Sequence, residues 1–172
     1  MALSWNEIKE RAVSFSKKWA DASREEADAQ PFLVDLFNVF GISSKRVGTF
    51  EHRVKKLDDK EGYIDMLWKG TILIEMKSRG KDLDKAYQQA LEYSYGLKEH
   101  ELPKCILVSD FENFRLHDLD DNTQIDFSGG IEPPGEGKGE YTTSDAYLIS
   151  WLAAHPGYGI DFATEPFTDT ED

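Results

Sequence analysis

The chain has 172 residues, enough to bury one domain-sized core, and its 40% hydrophobic, 31% charged composition is that of a globular protein. Its single cysteine, Cys105, excludes an intrachain disulfide, and the formal charge of −13 argues at first sight against a phosphate-binding partner. The N-terminus has no apolar run behind a basic start, and no segment nears the roughly 18 apolar residues of a membrane span, so a cytoplasmic protein with no membrane partner is expected.

The charge is unevenly spread. From Asp120 to Asp172 there are twelve acids against one base, Lys138, which leaves 21 acids and 19 bases in residues 1–119. Bases cluster at Lys45, Arg46, Arg53, Lys55 and Lys56, and again at Lys77, Arg79 and Lys81. A locally basic groove for a polyanion is compatible with that distribution. Solvated surface strands are the plainer alternative.

Two helices are expected first. Ser4 with Glu7 has the spacing of a capping box, and Trp5, Ile8, Ala12, Phe15 and Trp19 share one helical face. Ser23 with Glu26 repeats the cap, Leu33, Leu36, Phe37 and Phe40 supply a second apolar face, and Gly41 is a stop signal. Pro31 suggests a break or late start near residue 30. These aromatics read as core.

Residues 47–54 alternate as a strand, followed by the charged turn KKLDDKEG. Tyr63 to Trp68 and Thr71 to Lys77 form a hairpin about Lys69-Gly70. Asp82 caps a helix expected to reach Leu97, with Leu83, Tyr87, Ala90, Leu91 and Ser94 on its buried side. KCILVSD reads as a buried strand, in which Cys105 is a small core residue, and FENFRLHDL returns as another. The order is α-α-β-β-β-α-β-β, an α/β fold with a mixed sheet flanked by helices.

After Leu119 an acidic, Gly/Pro-rich extension over 120–172 is expected, holding one short helix at 144–155 with Tyr147, Leu148, Trp151 and Leu152 as its stripe. Its Gly-Lys is no phosphate loop, since Gly139 stands where Ser or Thr must hold the metal.

The chemistry lies in GYIDMLWKGTILIEMKS, Gly62 to Ser78. Strand alternation places Glu75 and Lys77 with Leu73 and Thr71 on one face, expected to be open, while Ile72, Ile74 and Met76 meet the helices. Across the hairpin Asp65 falls level with Glu75. Two carboxylates, joined by the Met76 carbonyl, suit Mg²⁺, which takes few protein ligands and keeps its waters. Such an ion polarises a phosphodiester and acidifies water, and Lys77 would hold the attacking water and offset developing charge. A Glu-x-Lys triplet alone is more often a solvated ion pair; the Asp on the preceding strand raises its value. Lys85, Gln89 and Tyr93 recur at steps of four as a polar stripe on the following helix.

The elements Asp65, Glu75-x-Lys77-Ser78, Gly80-x-Asp82-Leu83, Gln89-Ala90-x-x-Tyr93 and Val108-Ser109-Asp110-Phe111, in that order, resemble the N-terminal nuclease domain of MmeI-like type IIL restriction-modification enzymes, of the PD-(D/E)XK nuclease superfamily. The likeness runs from Trp5 to Leu119. It implies a nuclease domain over 1–119 and a Mg²⁺-dependent endonuclease, with Mn²⁺ as a substitute, acting on double-stranded DNA. Asp65 and Glu75 would be metal ligands, Lys77 the catalytic lysine, and Gln89 with Tyr93 the supporting element; Glu51 is a weaker additional acid. Ile64 stands where the superfamily's Pro is named. Lys45, Arg46, Arg53, Arg79, Lys81 and Lys85 are the candidate DNA contacts.

In that family the domain is fused to a helical spacer, a methyltransferase and a target-recognition domain. No Gly-rich methyltransferase motif occurs here, so S-adenosylmethionine is not expected to bind. The resemblance implies partner domains in a longer chain or complex, and dimerisation for double-strand cleavage. Two other readings stay open: a repair or recombination nuclease with the same site, and a non-catalytic DNA mimic or regulatory module acting through the acidic extension.

Overall fold

A computed structural model describes residues 5–42 and 48–128. The expected helix at 144–155, the acidic extension beyond Ser128, and Lys45 and Arg46 lie outside the described residues.

Helices α1 (Trp5–Trp19) and α2 (Glu25–Val39) are joined by a short connection and pack on each other through Phe32. The Phe32 ring meets Phe15 at 5.0 Å and Trp19 at 5.6 Å from the α1 side, and Phe111 and Phe114 at 5.0 and 6.0 Å from the sheet side. One fully buried aromatic thus joins two layers.

Helix α2 differs from expectation at its start. It runs unbroken from Glu25 with Pro31 inside it, and Arg24 is its N-cap without a side-chain capping bond. Instead of Ser23 capping the helix, the Asp28 carboxylate reaches back to accept the Arg24 N–H at 3.2 Å. Pro31 removes only the bond to the Ala27 carbonyl, and both residues line an open cleft where water can satisfy that oxygen. The stop at Gly41 is as expected: with φ of 73°, it gives its N–H to Asn38 while Ile42 gives its own to Phe37.

Six strands form one sheet in sequential order: β1 (Thr49–Lys55), β2 (Glu61–Trp68), β3 (Ile72–Met76), β4 (Cys105–Ser109), β5 (Asn113–Asp118) and β6 (Thr123–Ser128). All neighbours are antiparallel except β3 and β4. A parallel pair needs a crossover, which α3 (Leu83–Ser94) and a short 3₁₀ turn (Glu99–Glu101) supply. Asp82 caps α3 as expected, accepting the Asp84 and Lys85 N–H groups. The helix ends at Ser94, short of Leu97. Strand β6 was not expected from the sequence; it carries the sheet past Leu119, where composition changes.

Both faces of the sheet are covered. Met66, Ile72, Ile74 and Met76 pack under α1 and α2, whereas Ile64, Leu67, Leu73, Ile106 and Val108 pack under Ala86, Ala90 and Tyr93 of α3. The expectation of an open sheet face at Leu73 is therefore corrected: α3 returns across it, as burial of both sides of a parallel pair requires. All five residues of β3 are buried, the charged Glu75 among them.

Candidate active site

The site opens where two strands part. The β2–β3 ladder runs Trp68↔Ile72, Leu67↔Leu73 and Met66↔Ile74, then stops. One step further Asp65 would face Glu75. There the Asp65 Oδ2 accepts the Met76 N–H at 2.7 Å, a side chain standing in for the missing ladder carbonyl. Strand β3 remains tied to β4, with the Lys77 N–H donating to the Ser109 carbonyl at 2.8 Å. On the other flank β1 pairs Phe50 with Met66 and His52 with Ile64, leaving Glu51 level with Asp65. Glu51 has a φ of 49°, a left-handed conformation that a non-glycine residue adopts at a cost.

The first turn of α2 brings a further acid. One carboxylate oxygen each from Glu25, Asp65 and Glu75 lies within 4.8 Å of the others. The Lys77 ammonium closes the group, 3.0 Å from Glu75 Oε1 and 3.4 Å from Glu25 Oε1. Glu75 Oε2 is buried without a hydrogen-bond partner. An orphaned carboxylate oxygen in a core is costly unless something satisfies it.

The electrostatics follow from this crowding. Burial, reinforced by the Asp65 charge and opposed by Lys77, pushes Glu75 up to about 8. Burial also raises Asp65 to about 6, against the pull of the Met76 N–H and with the help of Glu25 and Glu51. For Lys77, burial pulls downward, but the Glu75, Glu25 and Asp65 charges outweigh it and hold the ammonium above its ordinary pKa. Burial thus favours the protonated forms of Asp65 and Glu75, while the neighbouring carboxylates keep the lysine charged.

This donor set fits a hard divalent cation. It offers three carboxylates, one with an oxygen in need of a partner, and no sulfur or imidazole. A cleft of about 620 Å³, lined by Glu25, Gln30, Pro31, Val34, Glu51 and Asp65, gives access to it.

Asp65, Glu75 and Lys77 thus converge as the strand pattern requires, and Glu51 lines the same cleft. Glu25 was not foreseen. Acids at helix starts are favoured by the helix dipole anywhere, so the Glu25-Glu26 pair carried no separate signal. Gln89 and Tyr93 are placed differently: the Gln89 amide donates to the Tyr93 hydroxyl at 2.5 Å, and neither is hydrogen-bonded to the carboxylates among the described residues. Tyr93 is buried, so it belongs to the core face of α3 and not to an exposed polar stripe. Its ring lies beneath the Lys56 ammonium, 5.2 Å away, and against Gly62, where an added Cβ would come within 2.5 Å of it.

Among the candidate DNA contacts, Lys81 and Lys85 are exposed, and Arg53 is exposed but paired with Glu61. Arg79 is turned inward, bonded to the carbonyls of Ala20 and Ala22 and paired with Glu112. Asp110 of the Val-Ser-Asp-Phe element is buried and accepts the N–H groups of Gly80, Glu112 and Asn113, so it joins the loop after Lys77 to the β4–β5 turn.

No curated protein matches the chain. Among solved structures, one described as a cryo-EM structure of a DrdV–DNA complex aligns at 16% identity and a TM-score of 0.47, covering 94% of this chain. The chain spans 14% of the length of that structure's chain, and at this score the likeness carries no argument. The family model described as MmeI, N-terminal domain, matches residues 10–165, which include every residue of the carboxylate–lysine group. The match covers most of the sequence, and the chain belongs to the MmeI N-terminal domain family.

Proposed function

We propose that this chain is a divalent-cation-dependent DNA endonuclease domain of the PD-(D/E)XK type, the cleavage part of a restriction-modification system. The single observation that carries this reading is the convergence of Glu25, Asp65, Glu75 and Lys77 at the strand fork, with a buried Glu75 oxygen lacking a partner. Membership of the MmeI N-terminal family supports it.

Mg²⁺, or Mn²⁺ in its place, would be held by Asp65, Glu75, the Met76 carbonyl and Glu25. Such an ion supplies Lewis-acid polarisation of the phosphodiester and lowers the pKa of water. The residues do the rest. Asp65 lines the cleft with its carboxylate held by the Met76 N–H. Lys77 stays protonated through neutral pH, and its ammonium can orient the attacking water and offset charge developing on the phosphoryl group. Glu51 adds negative charge at the mouth of the cleft, which favours a cation there. The exposure of Lys81 and Lys85, which follow Lys77 in the chain, supports a role for them as contacts to the DNA backbone.

The test is Mg²⁺-dependent nicking of supercoiled plasmid by the wild type and by Glu75→Ala and Lys77→Ala variants with intact circular dichroism. Each variant should lose about 100-fold or more in rate. Equal cutting by the variants refutes the site. A strong preference for branched or single-stranded DNA over duplex would reassign the same site to repair or recombination.

A further inference from the structure

We propose that Arg79 is a positioning residue of the carboxylate site, a clamp that holds Glu25 against Asp65 and Glu75, and not a DNA contact. The inference rests on the nuclease reading above for its purpose, and on hydrogen-bond geometry for its substance.

Three successive residues, Lys77, Ser78 and Arg79, all bind the stretch that delivers Glu25. The Lys77 ammonium meets the Glu25 carboxylate at 3.4 Å. Ser78 Oγ accepts the Glu25 backbone N–H at 3.3 Å, satisfying one of the donors that a helix start leaves open. The Arg79 N–H donates to the Ser23 carbonyl at 3.0 Å. Its guanidinium donates from Nε and Nη2 to the Ala22 carbonyl at 3.0 and 2.8 Å, and from Nη2 to the Ala20 carbonyl at 2.8 Å. The remaining nitrogen, Nη1, pairs with Glu112 at 3.3 Å.

These contacts stitch the α1–α2 connection to the end of β3 across more than 50 residues of chain. They supply an anchorage that the helix start lacks, since Glu25 follows an N-cap that makes no side-chain hydrogen bond, and they keep its carboxylate beside those of Asp65 and Glu75. A guanidinium suits the task because its rigid fork of donors reaches two carbonyls and a carboxylate together, which an ammonium on a flexible stem cannot do. Spent in this way, Arg79 has little left to offer a phosphate.

The discriminating substitution is Arg79→Lys, which keeps the positive charge and removes the fork. Three measurements on the full chain decide the matter: amide hydrogen exchange at Glu25–Asp28, Ca²⁺ affinity by calorimetry, and DNA affinity in EDTA with its salt dependence. The clamp predicts faster exchange in the first turn of α2 with the rest of the sheet still protected. It predicts Ca²⁺ affinity lowered about 10-fold or more, as when partners that orient metal ligands are lost. Glu25→Gln should lower Ca²⁺ affinity likewise, and the double variant should lose little beyond either single one. DNA affinity in EDTA should be unchanged. Unchanged exchange overturns the clamp, and so does altered exchange with unchanged Ca²⁺ affinity, or additive losses in the double variant. A reduced salt slope in DNA binding by an Arg79→Ala variant, with Ca²⁺ affinity intact, returns Arg79 to the DNA contacts. Wild-type protein that binds no Ca²⁺ overturns the nuclease reading and the purpose assigned to the clamp, while the exchange data still report whether Arg79 holds the α2 start.

Discussion

The Asp65 carboxylate takes the Met76 N–H at the point where β2 and β3 cease to pair, so one side chain both ends the ladder and is itself held in place. Asp65→Asn retains an acceptor for that N–H, whereas Asp65→Ala leaves it unpaired in a buried strand. Both remove the charge, so their difference isolates the hydrogen bond. The alanine variant should be less stable than the asparagine variant by about 1–3 kcal/mol in urea denaturation.

Stability without a divalent ion should fall as pH rises from about 4 to about 8. The folded state keeps protons on Asp65 and Glu75 up to about 6 and about 8, and the unfolded chain releases them near 4. Over that window these two acids bind more protons in the folded state, so a rise in pH favours unfolding, opposed in part by His117, which burial holds below its ordinary pKa. Glu101, held down to about 2 by the hydrogen bond from Lys69, gives the opposite trend only below the window. Thermal melts in EDTA should show the decline, Glu75→Gln should flatten it, and Ca²⁺ should raise Tm most at the alkaline end.

Phe32 is the keystone between α1, α2 and the sheet, meeting four aromatic rings with none of its surface exposed. Phe32→Ala should cost about 3–5 kcal/mol, read from chemical denaturation.

Gly62 and Tyr93 are matched in space. Gly62→Ala would set a Cβ 2.5 Å from the Tyr93 ring, and a loss of about 1–3 kcal/mol is expected. Tyr93→Phe removes only the bond to Gln89 and should cost about 1 kcal/mol by the same measurement. The Gly62→Ala, Tyr93→Ala double variant should lose less than the sum of the two single losses, which a double-mutant cycle would show.

The difference between what was legible and what was not follows from the range of each signal. Strand alternation is local, and it brought Asp65, Glu75 and Lys77 together because residues two apart share a face whatever surrounds them. Gly41 and Asp82 were legible for the same reason, since caps act within one turn. Pro31 misled because its penalty depends on whether one carbonyl can find water, and that depends on the cleft beside it. The polar hydroxyl of Tyr93 suggests an exposed stripe, whereas its ring fills the space that Gly62 leaves.

By itself, then, the sequence determined an α/β domain with an Asp and a Glu-x-Lys on adjacent strands, because periodicity and capping are written in neighbouring residues. Only the tertiary structure decided that α3 covers the face expected to be open, that Glu25 joins the carboxylates, and that the Arg79 guanidinium turns to the Ala20 and Ala22 carbonyls. The last two depend on segments more than 50 residues apart meeting at the strand fork, where hydrogen-bond satisfaction and ion pairing, not local pattern, set each side chain's place.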